Sequence, residues 1–327
     1  MLEYAIITSI KVTVIIIAVL TGCAYATWLE RRLLGRLQNR IGPAYAGPFG
    51  LLQPIADAVK LIFKEDIVPD KVEKITYSLA PIISFIPAFL SFTVIPVGDT
   101  LSMFGHDIDL VISDLNIGVL FVFAVTSLGV YGIVLAGWSS GSKYSLLGGI
   151  RSSAQMISYE IAYGLSIIGV ILLAGTLSMQ DLVAQQDSIF NWFIFRQPVG
   201  FILFVVCAVA ETNRAPFDLP EAESELVAGY LTEYSSMKYS MFFVAEYANM
   251  ISVSCVVTTF FLGGWQGPLL PPVVWFAIKV ILFMAFYIWI RGTLPRLRYD
   301  QLMNFGWKVL FPLALLNTML TAWIKLW

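Results

Sequence analysis

The sequence predicts an all-α, polytopic membrane protein, and two features of its composition indicate this class. Of the 327 residues, 58% are hydrophobic and only 13% are charged, about half the charged fraction of a soluble globular protein. A soluble fold of this length must present a polar surface, and so few charges cannot cover it. The composition therefore excludes a soluble enzyme, a nucleic-acid-binding protein and a disordered chain.

Eight long apolar segments supply the membrane spans, since each crossing needs about 20 apolar residues. Tryptophans such as Trp28, Trp138 and Trp192 lie at their ends, as expected for rings at the headgroup level. We treat residues 1–327 as a single integral membrane domain without internal repeats. The predicted spans are 5–28, 75–97, 115–138, 153–175, 192–211, 240–263, 273–291 and 306–325.

The distribution of lysine and arginine predicts the orientation of the spans. Sixteen of the 20 basic residues lie in, or within three residues of, the segments after the first, third, fifth and seventh spans, whereas the segments after the second, fourth and sixth contain none. Because cytoplasmic loops are enriched in basic residues, we expect the first set of loops to face the cytoplasm and both chain termini to face outward.

The sequence offers few ligands for a redox centre. Its three cysteines, Cys23, Cys207 and Cys255, are isolated from one another, and His106 is its single histidine. Iron–sulfur clusters and structural zinc sites need grouped thiolates or imidazoles. We therefore expect no metal site in this chain, and any electron transfer in which it takes part should use centres in partner subunits.

The first cytoplasmic segment contains a helical pattern that does not span the membrane. Within 48–66, apolar residues recur at helical spacing, and Asp57, Lys60 and Lys64 lie on another face. One interpretation is an amphipathic helix in the membrane interface, with its lysines facing anionic lipid. The other is a helix that walls a chamber for an amphipathic ligand, with Asp57 and Lys60 as polar contacts.

Carboxyl groups inside the predicted spans point to function, because charges are costly there. Glu160 and Glu246 each lie about 10 Å from the cytoplasmic end of a span, and Glu211 ends the fifth span. These three form a candidate proton-carrying group, or each hydrogen-bonds across helices, for example to Tyr159, Tyr163 or Tyr247. Lys11 and Lys279 lie nearer the outer face; Lys11 fits a snorkelling lysine, and Lys279 fits either snorkelling or a proton path.

The third cytoplasmic segment, 211–239, is rich in acidic residues among apolar ones and is either a solvated loop or a packed one. At this segment and several others, the sequence resembles the H-type membrane subunits (NADH dehydrogenase subunit 1 family) of proton-pumping NADH:quinone oxidoreductase, respiratory complex I. The resemblance covers essentially the whole chain. It rests on the motifs Glu30-Arg-Arg-Leu-Leu-Gly-Arg36, Gln38-Asn-Arg-Ile-Gly-Pro43, Gly50-Leu-Leu-Gln-Pro-Ile-Ala-Asp57, Glu211-Thr-Asn-Arg-Ala-Pro-Phe-Asp218, Glu221-Ala-Glu-Ser-Glu-Leu226 and Arg298-Tyr-Asp-Gln301.

The resemblance implies a protein that joins the peripheral and membrane arms, forms much of the quinone chamber and couples quinone reduction to proton translocation. It implies a multi-pass location in a bacterial inner membrane or an organellar one, contact with lipid, and no nucleic acid. Quinone, either ubiquinone or menaquinone, is the implied substrate, with FMN and iron–sulfur clusters in partner subunits. The implied quinone-chamber residues are Arg40, Gln53, Asp57, Lys60, Phe217 and Asp218, and the implied proton-route residues are Glu160, Glu211, Glu221, Glu223, Glu225 and Glu246.

Three other functions stay open at the level of the sequence. The membrane subunit of an energy-converting hydrogenase is the nearest, and nickel in the purified complex would indicate it. A secondary transporter should show repeats and interrupted spans near the membrane midplane. A structural anchor without functional charges predicts that replacement of Glu160 has no effect.

Overall fold

The computed structural model describes residues 2–103, 106–219 and 226–327, and the chain in these ranges is almost entirely helical. Short 3₁₀ turns lie at Pro48–Gly50, Ser91–Thr93, Ile189–Asn191 and Gly229–Leu231, and a π turn lies at Gly306–Leu310. The helices are α1 Leu2–Leu37, α2 Gln53–Phe63, α3 Lys74–Leu90, α4 Gly118–Ser139, α5 Lys143–Ala174, α6 Met179–Ala184, α7 Phe193–Arg196, α8 Pro198–Glu211, α9 Ser236–Phe261, α10 Pro272–Thr293, α11 Tyr299–Phe305 and α12 Phe311–Leu326.

The predicted class is confirmed by the number and the character of these helices. In the described ranges, seven helical segments are long and apolar enough to cross a membrane, and α8 is a shorter apolar helix. Helix α1 extends nine residues past the predicted end of its span, and α5 begins at Lys143 rather than at residue 153. Helical hydrogen bonding thus continues beyond the apolar part of these two spans.

The fifth predicted span, 192–211, is divided into α7 and α8. Pro198 cannot donate a backbone hydrogen bond, and Gln197 between the two helices is non-helical. The side chain of Gln197 fills this break, because its Nε2 donates to Thr321 Oγ1 at 2.6 Å and its Oε1 accepts from Asn317 Nδ2 at 3.2 Å. Both partners lie on α12, so the break is tied to the last helix.

A small β-hairpin on the outer side was not predicted from the sequence. Its strands, β1 Thr100–Met103 and β2 His106–Asp109, pair antiparallel with Thr100 opposite Asp109. Backbone hydrogen bonds from Val97 N to Leu110 O and from Ser113 N to Thr93 O extend the pairing towards the spans. Strands β1 and β2 therefore lie in the connection between α3 and α4.

Small residues let the central helices approach one another closely. A Cβ at Gly132 of α4 would lie 2.1 Å from Ser84 Oγ of α3, and one at Gly137 would lie 3.1 Å from Gly149 Cα of α5. Close backbone contact at glycine is common between membrane helices, where packing rather than the hydrophobic effect holds helices together. Helices α3, α4 and α5 thus form one tightly packed unit.

Helix α2 lies against α1 and α9 but leaves its apolar stripe open. Ile55, Val59 and Ile62 are exposed on this helix, while Pro54 is buried. An exposed apolar stripe needs lipid, ligand or a partner to cover it. Both predicted interpretations of α2, the lipid interface and the chamber wall, are compatible with this arrangement.

Candidate functional site

Arg214 is the centre of a buried charge cluster that joins two membrane helices. Its Nε lies 2.7 Å from Glu246 Oε1 of α9, and its NH1 lies 3.4 Å from Glu30 Oε2 of α1. The guanidinium stands 4.5 Å from the centre of the Tyr247 ring, and the Tyr247 hydroxyl donates to Glu30 Oε2 at 2.6 Å. One cation therefore holds two carboxylates from helices that are far apart in the sequence.

Three further residues extend this cluster toward the end of α10. Arg291 pairs with Glu30, and Arg296 NH2 pairs with Asp218 Oδ2 at 2.9 Å. Each buried charge of the group has a partner of opposite sign, as low-dielectric surroundings require. We call Glu30, Arg214, Asp218, Glu246, Arg291 and Arg296 the inner charge cluster.

The surroundings of the cluster affect the pKa values of Arg214 and Asp218, its two members in the loop after α8, differently. Burial lowers the pKa of Arg214, but Glu246, Tyr247 and Glu30 act more strongly, and the net pKa lies well above the ordinary arginine value. Burial raises the pKa of Asp218 above its ordinary value, although Arg296 acts to lower it. Arg214 is thus a permanent cation, whereas Asp218 is closer to taking up a proton than an exposed aspartate.

A small cavity of about 40 Å³ lies beside the cluster, between α4, α5, α8 and α9. Glu246 and Glu211 both line it. Among the described residues, Oε2 of Glu211 and Oδ1 of Asn249 are buried without a hydrogen-bond partner. A space of this size with polar atoms in its wall can hold a few water molecules, so Glu246 and Glu211 are connected by a polar space.

A second cavity of about 20 Å³ lies further into the membrane region and shares several wall residues with the first. Glu211 and Asn249 line both, and the second is also lined by Ser252 and Thr126. Ser252 in turn lies 2.8 Å from Ser91, hydroxyl to hydroxyl. Glu211 thus lines two neighbouring cavities, the second of which has mostly apolar walls.

Glu160, the third predicted carboxyl, lies on α5 within hydrogen-bonding reach of Ser127 on α4. It is half-buried and close enough to Glu211 for the two charges to interact. Glu160 and Glu211 are therefore a pair of like charges. Glu246 differs, because it is held as an ion pair by Arg214.

The tyrosines that the sequence offered as hydrogen-bond partners of these glutamates include two that bond elsewhere. Tyr159 donates to Leu302 O at 2.8 Å, and Tyr247 donates to Glu30. Tyr163 packs between Phe123 and Phe204. Tyr159 and Tyr247 therefore hold α11 and α1 in place through these bonds, and the carboxyls of Glu160 and Glu246 bond to other residues.

The predicted quinone-chamber residues lie in two places. On the α1–α2 side, Asp57 Oδ2 lies 2.6 Å from Arg31 NH1 and its Oδ1 accepts from Gln53 Nε2 at 3.0 Å. Lys60 is exposed on the same helix, and Arg40 is exposed in the turn after α1. The structure thus brings Asp57, Gln53 and Arg31 together at the cytoplasmic end of α1.

The other two predicted residues, Phe217 and Asp218, lie in the loop after α8. Gln155 of α5 holds this loop, because its Nε2 lies 2.8 Å from both Ala210 O and Phe217 O. The Phe217 ring packs on Tyr159 with 5.6 Å between centroids. Asp218 belongs to the inner charge cluster, so this loop contributes to the cluster as well as to the predicted chamber.

The remaining predicted proton-route residues, Glu221, Glu223 and Glu225, lie outside the described residues. Sequence reasoning missed Glu30, Arg214, Arg291 and Arg296 as members of the site. Glu30 and Arg214 stand within the quoted motifs, and each of the four lies at or near the predicted cytoplasmic end of a span. A charge at the end of one span, matched by an opposite charge at the end of another, was the signal available.

The described part of the chain contains no group of three or more His, Cys, Asp or Glu side chains placed to hold a metal ion. The polar groups at hand are carboxylates, guanidinium groups and hydroxyls. These can hold and transfer protons and bind a polar headgroup. The fold and this site together define a polytopic membrane protein with a buried, titratable charge cluster.

Comparison with known proteins identifies the family. The family model described as NADH dehydrogenase matches residues 10–322, so the chain belongs to this family. It is 54% identical to the H subunit of the NADH-quinone oxidoreductase of Thermomicrobium roseum, with 98% of this chain and 97% of the relative covered. An H subunit of the Geobacter metallireducens enzyme is 55% identical, with 98% and 96% covered, and one of the Geobacter sulfurreducens enzyme is 56% identical, with 95% and 93% covered.

Proposed function

We propose that this chain is the membrane component that joins the peripheral and membrane arms of NADH:quinone oxidoreductase, walls part of the quinone chamber and couples quinone reduction to proton translocation. Membership of the NADH dehydrogenase family supports the enzyme. The observation that carries the coupling role is the double position of Glu246, which pairs with Arg214 and also lines the cavity that contains Glu211.

The chemistry of the reaction explains why such a site is useful. Reduction of a quinone to a quinol takes up two electrons and two protons, so it removes positive charge from its surroundings. A proton that moves onto Glu246 weakens the pair with Arg214, and the guanidinium is then balanced by Glu30. In the proposed mechanism, this exchange of partners links proton uptake by the quinone to the protonation of Glu211.

The quinone headgroup would lie near Asp57 and Gln53, with Arg31, Arg40 and Lys60 as neighbouring cations and with the Phe217–Asp218 loop on the other side. The exposed apolar stripe of α2 suits an isoprenoid tail as it enters from the membrane. Either ubiquinone or menaquinone meets these requirements. FMN and the iron–sulfur clusters belong to partner subunits in this proposal, and the location is a bacterial inner membrane or its organellar equivalent.

The alternative functions are less well supported. The three relatives described above are named as subunits of a quinone oxidoreductase, which favours the quinone enzyme over an energy-converting hydrogenase. Nickel in the purified complex would reverse this preference. The buried charge cluster favours a functional role for the glutamates over that of a simple anchor.

Glu211→Gln in the assembled, reconstituted complex tests the proposal. The amide keeps the shape of the carboxyl but does not titrate, so quinone-linked turnover and proton translocation should fall roughly ten-fold or more, within the range of lost acid–base catalysis. Reduction of a soluble artificial acceptor by NADH should persist. Glu211→Asp should keep part of the coupled activity.

Glu73→Gln is the matched control, because Glu73 is an exposed glutamate at the start of α3. This variant should behave as the parent complex in all three assays. Full proton translocation by Glu211→Gln, together with normal quinone turnover, would contradict the proposed coupling role.

A further inference from the structure

Lys279 is a buried cation at the opposite end of the molecule from the inner charge cluster. Its side chain is only 6% exposed, although it lies on α10 just seven residues after the helix begins at Pro272. The ammonium group donates to three backbone carbonyls, at 2.6 Å to Leu262, 2.9 Å to Gly264 and 2.7 Å to Gln266. The side chain therefore does not reach out to the headgroup layer, as a snorkelling lysine would.

The carbonyls that Lys279 binds belong to the chain that leaves the end of α9. The last carbonyls of a helix have no partner inside it, and a cation there is favourable to the helix dipole. Gly263 and Gly264 have φ of +71° and +51°, which turns this short segment so that its carbonyls converge on one point. Lys279 thus caps α9 from a neighbouring helix.

The capped segment is also tightly packed from the sides. Trp192 stands over the ammonium at 4.4 Å, and a Cβ at Gly263 would lie 2.4 Å from Trp192 Nε1. Gln186 is buried beside them, where its Oε1 accepts from Gly263 N at 3.0 Å and its Nε2 donates to Thr259 O at 2.9 Å. We call Lys279, Trp192, Gln186 and the segment 262–266 the outer clamp.

The outer clamp lies between a groove on the protein surface and the two cavities that Glu211 lines. On its outer side, a surface groove of about 320 Å³ is lined by Trp192 and Gln266, so solvent reaches the clamp. On its inner side, the cavity beside Glu211 ends at Val256 of α9. The six residues from Val256 to Leu262 span about 9 Å, and Val257 and Phe260 in this interval are fully buried.

We infer that Lys279 closes the outer end of the proton route in this chain. Protons cross a protein along water or titratable groups. Between Val256 and Leu262, α9 carries no ionisable side chain, and the hydroxyls of Thr258 and Thr259 donate to carbonyls of their own helix. The positive charge of the Lys279 ammonium at the far side adds an electrostatic barrier to protons, as cations do in other proton-excluding pores. Protons taken up at Glu211 therefore do not leave outward past Lys279; this inference rests on the proposed function.

Lys279→Met tests the closure, because methionine keeps the length of the side chain but leaves the three carbonyls free to recruit water. The complex is reconstituted in liposomes that contain a pH-sensitive dye, and the passive decay of an acid pulse is followed without substrate. We expect a several-fold faster decay than in the parent complex and a smaller steady-state gradient during turnover, while NADH:quinone turnover persists. Lys279→Arg, which keeps a cation, should restore the parent rate.

Lys11→Met is the matched control, because Lys11 lies at the same side and donates to only one carbonyl, that of Val111 at 3.1 Å. It should not change the leak. If Lys279→Met does not assemble, Trp192→Leu removes only the ring over the ammonium and should give a smaller leak. An assembled Lys279→Met or Trp192→Leu complex that is as proton-tight as the parent would overturn the inference.

A double variant separates this inference from the proposed function. Adding Glu211→Gln to Lys279→Met should remove the extra leak, which would place the closure on the route through Glu211. A leak that persists in the double variant would overturn that placement. The proposed coupling role is judged independently, from coupled turnover of Glu211→Gln with Lys279 intact.

Discussion

Arg214 and Lys279 are both buried cations that bridge separate parts of the chain, but they bind different kinds of partner. Arg214 is held by the carboxylates of Glu246 and Glu30. Lys279 is held by the backbone carbonyls of residues 262, 264 and 266. The inner cation is therefore surrounded by groups that can gain a proton, and the outer cation by groups that cannot.

This difference separates a cation whose partners can gain a proton from a cation whose partners cannot. A proton added to Glu246 changes the energy of its pair with Arg214, so the inner charge cluster has more than one charge arrangement. The three carbonyls of the outer clamp do not titrate, so Lys279 is the one member of that hydrogen-bonded group that can change charge. The following predictions test whether the two ends of the molecule differ in this way.

The largest effect is expected for Arg214→Met. Removing one partner of a buried ion pair leaves the other charge without compensation, at a cost of about 3–5 kcal/mol, and here both Glu30 and Glu246 are affected. The variant should fail to assemble or should dissociate at a much lower temperature, as measured by native electrophoresis after graded heating. Arg214→Lys should be milder, and normal thermal behaviour of Arg214→Met would contradict the central role of this cation.

A comparison of Glu246→Gln with Glu160→Gln should give the next effect. Glu246 forms an ion pair with Arg214, so its amide variant should lose stability in addition to coupled turnover, though less than Arg214→Met because Arg214 keeps Glu30. Glu160 lies beside Ser127, and an amide can keep that contact, so its variant should lose turnover with little change in stability. Equal shifts in melting temperature for the two purified variants would count against the assigned pairing.

Asp57→Asn should have a small effect on stability and a clear effect on quinone kinetics. The Arg31–Asp57 pair is substantially exposed, and exposed pairs contribute less than about 1 kcal/mol. The KM for quinone should rise, while electron delivery to a soluble acceptor and the melting temperature stay near the parent values. Unchanged quinone kinetics would leave the lipid-interface interpretation of α2 in place.

The smallest effect is expected for Lys11→Met. A single hydrogen bond to Val111 at a partly exposed site should contribute within about 0.5 kcal/mol. Thermal denaturation of the purified complex should barely change, whereas Lys279→Met should be clearly destabilised. A shift for Lys11→Met as large as that for Lys279→Met would mean that the three-carbonyl arrangement has no special importance.

The sequence was sufficient for the helices and for the class, because hydrophobic segment length and basic-residue distribution are properties of the chain itself. It also located the carboxyls of Glu160, Glu211 and Glu246 within helices. It did not identify the partner of Glu246. That partner, Arg214, lies in the loop after α8 and also pairs with Glu30, 184 residues before it. These contacts depend on how the loop packs between α1 and α9, which no local pattern specifies.

Lys279 illustrates a different limit. Its carbonyl partners are only 13 to 17 residues away, yet the sequence allowed both a snorkelling and a proton-path role. The choice depends on the turn of Gly263 and Gly264, which directs the carbonyls of this segment inward. The β-hairpin was missed for another reason: strands β1 and β2 are short and have little hydrophobic pattern.

The attachment of α2 gives this helix a mechanical role. At its C-terminal end, Ser236 Oγ at the start of α9 lies 2.8 Å from Lys64 O, and Lys238 pairs with Asp66 at 3.0 Å. Nearer its N-terminal end, Asp57 is fastened to α1 through Arg31. Helix α2 therefore links α1 and α9, the two helices whose carboxylates pair with Arg214. A ligand that displaces α2 from its exposed face would act on both ion pairs of Arg214.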